Sequence, residues 1–276
     1  MSWRGGLSTC LGMKRFIPFL KSGPKVAVLR LSGVIGSGQR AGISDEGMAP
    51  LIERAFRKGK PDAVALIINS PGGSPVQSSL VAARIRRLAE EKGIPVHAFV
   101  EDVAASGGYW LACAADDIWA DAGSIVGSIG VISAGFGAHE LLARQGVERR
   151  VYTAGKSKSM LDPFRPENPE DVARLKGILG DLHQVFIDWV KSRRGARLEE
   201  ADIFTGEVWL GAKATELGLI DGVAQATPKL KELYGEKVRF IRHSRKKGWM
   251  PRIGIRLMED AMVAVEERAH WARFGL

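Results

Sequence analysis

A chain of 276 residues that is 45% apolar and 26% charged has the composition of a packed globular protein with a sizeable core, long enough for one large domain or two small ones. Two cysteines, Cys10 and Cys113, are too few for a disulfide framework and show no metal-ligand spacing; the longest apolar block near the start, Phe16–Leu20, falls short of a signal-peptide core of about 7 to 15 residues and of a membrane span of about 20. The formal charge of +9 gathers at the ends, in Arg4, Lys14, Arg15, Lys21 and Lys25 without an acid and in a second run from Lys237 to Arg252, so anionic lipid or a merely solvated face is expected; without zinc-finger or RNA-recognition spacing, nucleic acid is not.

From Val26 to Leu31, β-branched residues between Pro24 and the Gly33–Gly38 turn region predict a strand. Glu46 to Arg57 sets Met48, Leu51, Ile52, Ala55 and Phe56 at helical spacing, closed by Gly59-Lys60-Pro61. Ala63 to Ile68 is a continuous apolar run, the mark of a strand covered on both faces. The turn Asn69-Ser70-Pro71-Gly72-Gly73-Ser74 follows, then a helix from Pro75 to Glu91 and another buried strand from Ile94 to Val100. Strand, helix, strand, helix, strand with short crossovers predicts an α/β fold with a parallel sheet and flanking helices.

Beyond it, Gly107–Ala115 reads as helix, Asp117–Ala120 and Ser128–Ser133 as short strands, Ala138–Gln145 as helix and Glu148–Tyr152 as strand. Gly155, Pro163, Pro166 and Pro169 make Ala154–Pro169 a loop, and a loop of that length is usually functional or disordered. Asn168 caps a long helix to Arg193 with a stripe of Val172, Leu175, Leu179, Leu182, Phe186 and Val190; short helices and a terminal strand, Leu219–Asp221, complete the unit. The expected partition is a basic segment 1–25, one α/β domain over 26–240, and over 241–276 a basic linker with an amphipathic C-terminal helix, Ile253–Phe274. That helix, bearing Leu257, Met258, Ala261, Met262, Val265 and Ala269 on one face, either docks on the domain or a neighbouring subunit or lies in a membrane interface. Met13, followed by Lys-Arg-Phe, offers a second start site, and the mature chain is expected on the cytoplasmic side.

Chemistry concentrates in Val103-Ala104-Ala105-Ser106-Gly107-Gly108-Tyr109, where small residues clear space around one hydroxyl; alone, the stretch reads equally as a tight turn. A serine needs a base within reach and donors aimed at the oxyanion. The loop Gly155-Lys156-Ser157-Lys158-Ser159 offers two lysines among small residues, whereas His97, His139, His183, His243 and His270 sit on predicted strands, helices or the basic tail, without an HExxH motif. Gly72 or Gly73, with the N–H of Gly107, could form a two-donor oxyanion hole at the strand ends, where α/β folds place ligands. No metal and no cofactor is expected.

Ile68-Asn69-Ser70-Pro71-Gly72-Gly73 and Asp102-Val103-Ala104-Ala105-Ser106-Gly107-Gly108-Tyr109 together resemble the signal peptide peptidase A and SohB-type serine peptidases, whose fold is shared with the Clp protease and crotonase superfamily. The resemblance continues through Gly127-Ser128-Ile129-Gly130-Val131, the Ala-Gly-x-x-Lys loop ending at Lys158, Phe204-Thr205-Gly206 and Leu219-Ile220-Asp221, covering about residues 25–235. It implies a Clp/crotonase-like domain, Ser106 as nucleophile, Lys158 rather than Lys156 as general base, an acyl-enzyme mechanism on peptides or signal-peptide remnants, and a homo-oligomer whose active sites are shared between subunits. Members commonly carry an N-terminal membrane anchor that this sequence lacks, which leaves peripheral contact with the inner membrane through the basic ends as the expected location. The competing readings are a crotonase-type acyl-CoA hydratase or hydrolase, which gives Lys158 no role, and a non-catalytic membrane-associated scaffold.

Overall fold

The apolar run beginning at Ala63 lies in the middle of the sheet, as burial on both faces requires. The computed structural model describes residues 23–37, 42–155, 157–199, 201–244 and 268–276. Their strands are β1 (Lys25–Ser32), β2 (Ala63–Ser70), β3 (Val96–Ala105), β4 (Asp117–Ala120), β5 (Ile125–Gly127), β6 (Val208–Leu210), β7 (Gly222–Val223) and β8 (Arg239–His243). The helices are α1 (Asp45–Ala55), α2 (Pro75–Lys92), α3 (Gly107–Ala112), α4 (His139–Arg144), α5 (Pro169–Arg194), α6 (Gly211–Glu216) and α7 (Ala226–Tyr234). The sheet runs β6-β5-β3-β2-β1-β8, with β4 beside β3 and β7 beside β4, and is parallel throughout except where β5 meets β6.

Local chemistry starts and stops the helices where the sequence signals it. Ser74 accepts from the Gln77 N–H with Pro75 in the first turn of α2, and Gly93 ends that helix in the left-handed region at φ 61°. Asn168 accepts from the Glu170 N–H at the start of α5, again with Pro in the first turn. One face of the sheet buries Leu29, Leu66, Ile68, Val100 and Ala104 against α1, α2, α3 and the C-terminal half of α5; the other buries Val26, Ala63, Ala65 and Phe99 beneath α7. The strand ends of β2 and β3 thereby meet the start of α3, which is where the candidate site lies.

Several expectations need correction. Ser128–Ser133 is not a strand: the strand is the preceding β5, and Ser128 leaves it at φ 53°. Glu148–Tyr152 is irregular and largely exposed, with no neighbour to pair with among the described strands. The terminal strand is β7, one residue beyond Leu219–Asp221, and β6 escapes notice because three residues between turns carry little periodicity. Arg239–His243, read as part of a basic run, is an edge strand paired to β1, so the sheet extends past the expected boundary at 240 and holds His243 buried. The basic segment up to residue 22 and positions 253–267 of the expected C-terminal helix lie outside the described residues; 268–272 are helical.

After β5 the chain leaves the core. Among the described residues of 131–168 none is buried, α4 included, and Ile132, Phe136, Leu141 and Tyr152 are exposed, Phe136 at 93% and Tyr152 at 89%. In α5 only Phe186, Val190 and Arg194 are buried, so Val172, Leu175, Leu179 and Leu182 of the expected stripe are only partly covered.

Candidate active site

Two glycine turns are packed into each other. β2 ends at Ser70, and Pro71-Gly72-Gly73 turns the chain with φ 102° at Gly72 and 140° at Gly73, values that favour glycine. A Cβ on Gly73 would stand 2.1 Å from the Ile35 carbonyl oxygen; one on Gly72 would stand 2.9 Å from Ser106 Cβ and 3.0 Å from Gly107 N. On the other side, a Cβ on Gly108 would fall 2.4 Å from the Ser70 carbonyl oxygen, and one on Gly107 2.4 Å from Ser78 Oγ. The glycines are therefore required by contact, beyond their use in turning a corner.

Ser106 occupies the single residue between β3 and α3, with φ 52° and ψ −121°. Such a conformation costs a non-glycine residue about 1–3 kcal/mol and persists only where its surroundings enforce it. Here its N–H donates to the Gly127 carbonyl at 2.8 Å and its carbonyl accepts from Trp110 N–H at 3.0 Å. Ser106 is half-buried while Val103–Ala105 before it and Gly107–Ala115 after it are buried, so the serine is the point where this segment meets solvent. Among the described residues no acceptor meets the N–H of Gly73 or of Gly107, whereas the Gly72 N–H is occupied by Ser70 Oγ at 3.2 Å.

The platform behind the serine is anchored at the far end of α3. Tyr109, fully buried, donates its hydroxyl to the Leu219 carbonyl at 2.7 Å, and burial pushes its pKa well up. The Cys113 thiol is likewise pushed up to about 12 by burial and stays neutral. The carbonyls that end α3 are met by arginines: Arg193 Nε donates to Cys113 O, Arg86 Nη1 to Ala114 O and Arg193 Nη2 to Ala115 O. Buried Arg194 bonds the Gly218 carbonyl and Asp221. These partners were not visible in the sequence, because an arginine that caps a distant carbonyl looks like any surface charge, and Ser78, four residues after the helix cap, meets Gly107 only in the folded chain.

The structure thus brings together Ser106, Gly72, Gly73 and Gly107; no hydrogen bond among the described residues joins Lys158 to them. Lys158 is exposed in a turn whose N–H donates to Gly155 O at 3.2 Å, and its ammonium has no hydrogen bond or ion pair among the described residues. Lys156 lies outside the described residues. Two of the histidines are committed elsewhere: His97 to Asp117 and Tyr234, and His183 to the Ile129 carbonyl at 3.0 Å, while His139 lines the cavity beside the lysine loop. A cavity of about 760 Å³ opens beside the lysine loop, lined among others by Phe136, Met160, Leu161, Asp162, Arg165 and Leu175. Among the described residues no cluster of His, Cys, Asp and Glu could hold a metal ion, and no helix is long and apolar enough to cross a membrane.

The chain is similar to several known proteins. The sodium/proton antiporter NhaA of Brucella melitensis biotype 1 is 46% identical over 96% of this chain, which spans only 39% of that protein. The probable protease SohB of Haemophilus influenzae is 30% identical over 86% of this chain and 66% of its own length. A membrane-bound stomatin-specific protease, 1510-N, solved as a K138A mutant with a substrate peptide, superposes with a TM-score of 0.51 at 15% identity over 91% of this chain and all of that one, which establishes the shared fold. Residues 88–237 match Peptidase family S49, and with them the chain belongs to that family.

Proposed function

We propose that the chain is a serine endopeptidase working through a Ser106–Lys158 dyad. The observation that carries the reading is the enforced backbone of Ser106 against Gly72, with the free N–H groups of Gly73 and Gly107 beside it. Ser106 Oγ attacks a peptide carbonyl as its proton passes to Lys158 Nζ; the oxyanion accepts from Gly73 and Gly107, so Gly73 rather than Gly72 is the working donor of the first turn. The proton returns to the leaving amine, and a water activated by the same lysine hydrolyses the acyl-enzyme and frees Ser106. The substrates are peptides, with signal-peptide remnants as the class the resemblance names. The S49 membership and the protease relatives support the reaction class.

A lysine acts as a base when it is desolvated. Lys158 is exposed in the single chain, in a segment that also exposes Phe136 and Tyr152, so a second copy of the chain is the source of both its cover and its serine. Fluorophosphonate labelling and peptide hydrolysis test the whole reading. Labelling should vanish in Ser106→Ala, hydrolysis should vanish in Ser106→Ala and Lys158→Ala alone, and mixing the two variants should restore part of it. Undiminished labelling of Ser106→Ala would overturn the nucleophile; a mixture that stays inactive would overturn the sharing between subunits.

We place the protein at the cytoplasmic face of the inner membrane, held peripherally. The support is the basic sequence at both ends and a relative of 46% identity that bears the name of a sodium/proton antiporter. Release of the protein into the soluble fraction at low salt would count against that location.

A further inference from the structure

β2 and β3 run in constant register from Val64↔Val96 to Ile68↔Val100, and the next pair is Ser70↔Ala104. Three residues of β3, Glu101–Val103, therefore face the single residue Asn69. The bulge has a purpose visible in the pairing: before it β3 lies beside β4, through Val100↔Ala120, and after it beside β5, from Val103↔Ile125 to Ala105↔Gly127. The strand changes neighbour within three residues, and the next residue is Ser106, whose N–H finds Gly127 O. A bulge re-aims the residues after it, and a strand with surplus residues can slip unless they are pinned.

Two of these three residues, Glu101 and Asp102, are pinned by ties from three different elements. Arg30 of β1 grips the Glu101 carboxylate with both terminal nitrogens. Ser124, 1% exposed, donates its hydroxyl to the Glu101 carbonyl from the β4–β5 loop. Asn69 of β2 donates Nδ2 to Asp102 Oδ2 at 2.5 Å, and its Oδ1 is buried with no partner among the described residues, so Asp102 is the one tether of that side chain. Of the three ties, this one joins the strand that ends in Gly72 and Gly73 to the strand that ends in Ser106.

We propose that Asn69 and Asp102 are positioning residues for the nucleophile: their hydrogen bond fixes the β3 bulge and thereby the placement of Ser106 against the Gly72–Gly73 turn. The inference rests on Ser106 being the nucleophile. Asp102 is exposed, so the bond adds little to stability, and its effect falls on aim. Misplacing a reacting group by about an ångström costs one to two orders of magnitude in rate.

The test uses the full chain and measures the rate of Ser106 acylation by a fluorophosphonate, kcat and KM on a peptide, and the thermal midpoint. Asp102→Ala and Asn69→Ala should each slow acylation and kcat by about tenfold or more, with KM changed less than about twofold and the midpoint nearly unmoved. Asp102→Asn, which keeps an acceptor for Asn69, should recover most of the rate, and the double alanine variant should be no slower than the slower single one. A purely structural pair would lower the midpoint and leave the folded enzyme's kcat alone, which would overturn the proposal. So would wild-type acylation rates in both alanine variants, or losses that add in the double variant. Labelling that persists in Ser106→Ala would instead overturn the nucleophile itself, so the two failures are distinguishable.

Discussion

Gly72 packs so closely on Ser106 that a methyl group added to it would stand 2.9 Å from the serine Cβ and 2.8 Å from the Ala105 carbonyl oxygen. Both are contacts to the segment that carries Ser106 at the end of β3, and neither partner is the movable end of a long side chain. Gly72→Ala also places a side chain at φ 102°. The substitution should cost about 1–3 kcal/mol of stability and remove fluorophosphonate labelling from the fraction that still folds. The control is Gly177→Ala in α5, where an added Cβ meets nothing within 4 Å; it should raise stability by up to about 1 kcal/mol and leave labelling intact. Thermal melts and probe labelling read both outcomes.

Tyr109→Phe removes one hydroxyl from a fully buried ring and leaves the Leu219 carbonyl without that donor. An unsatisfied buried acceptor costs about 1–3 kcal/mol, so the denaturant midpoint should fall with an unchanged m-value. The ring still fills its space, and labelling per folded molecule should hold. A variant as stable as the wild type would show that this bond does not anchor α3.

His243 ties stability to pH. It is buried at the end of β8, its Nε2 has no partner among the described residues, and burial first, then the positive charges of Arg54 and Lys58, hold its pKa below the ordinary value of 6.5. The folded state therefore binds fewer protons at this site than the unfolded state as pH falls through 6.5, and stability drops with pH from there downward. His243→Gln should flatten the decline in thermal midpoint between about pH 6.5 and 5. A slope unchanged by the substitution would assign the acid sensitivity to another group.

Much of this was legible in sequence because burial writes itself into composition. The run Ala63–Ile68 and the caps Ser74 and Asn168 each name a local physical need, and Pro71-Gly72-Gly73 marks a turn whatever surrounds it. Arg239–His243 was not legible: an edge strand bonded to β1 alone keeps Arg239 and Arg242 in solvent and looks like a charge run. Nor was the bulge, since Glu101 and Asp102 break the apolar run that predicts a strand and only the pairing of three sheet neighbours keeps them in it. At the site, sequence order supplied Ser106, Gly72, Gly73 and Gly107, while the open N–H of Gly73 and the occupied one of Gly72 depend on where Ser70 Oγ points.

The exposed arm gives the last prediction. Phe136 and Tyr152 are 93% and 89% exposed, and Leu141 is exposed on α4, a helix that buries no residue of its own. Aromatic side chains left this open lose the burial that usually holds them, worth about 1.5–3 kcal/mol each, and under the proposed sharing between subunits a second copy of the chain would restore it. Phe136→Asp and Tyr152→Asp should therefore leave the thermal midpoint of the domain nearly unchanged while shifting the protein to smaller species in size-exclusion chromatography. Because Lys158 lies in the same arm, peptide hydrolysis should fall with assembly and return as protein concentration rises. If the variants elute as the wild type does and hydrolyse peptide at the wild-type rate, this arm is not the surface through which copies meet.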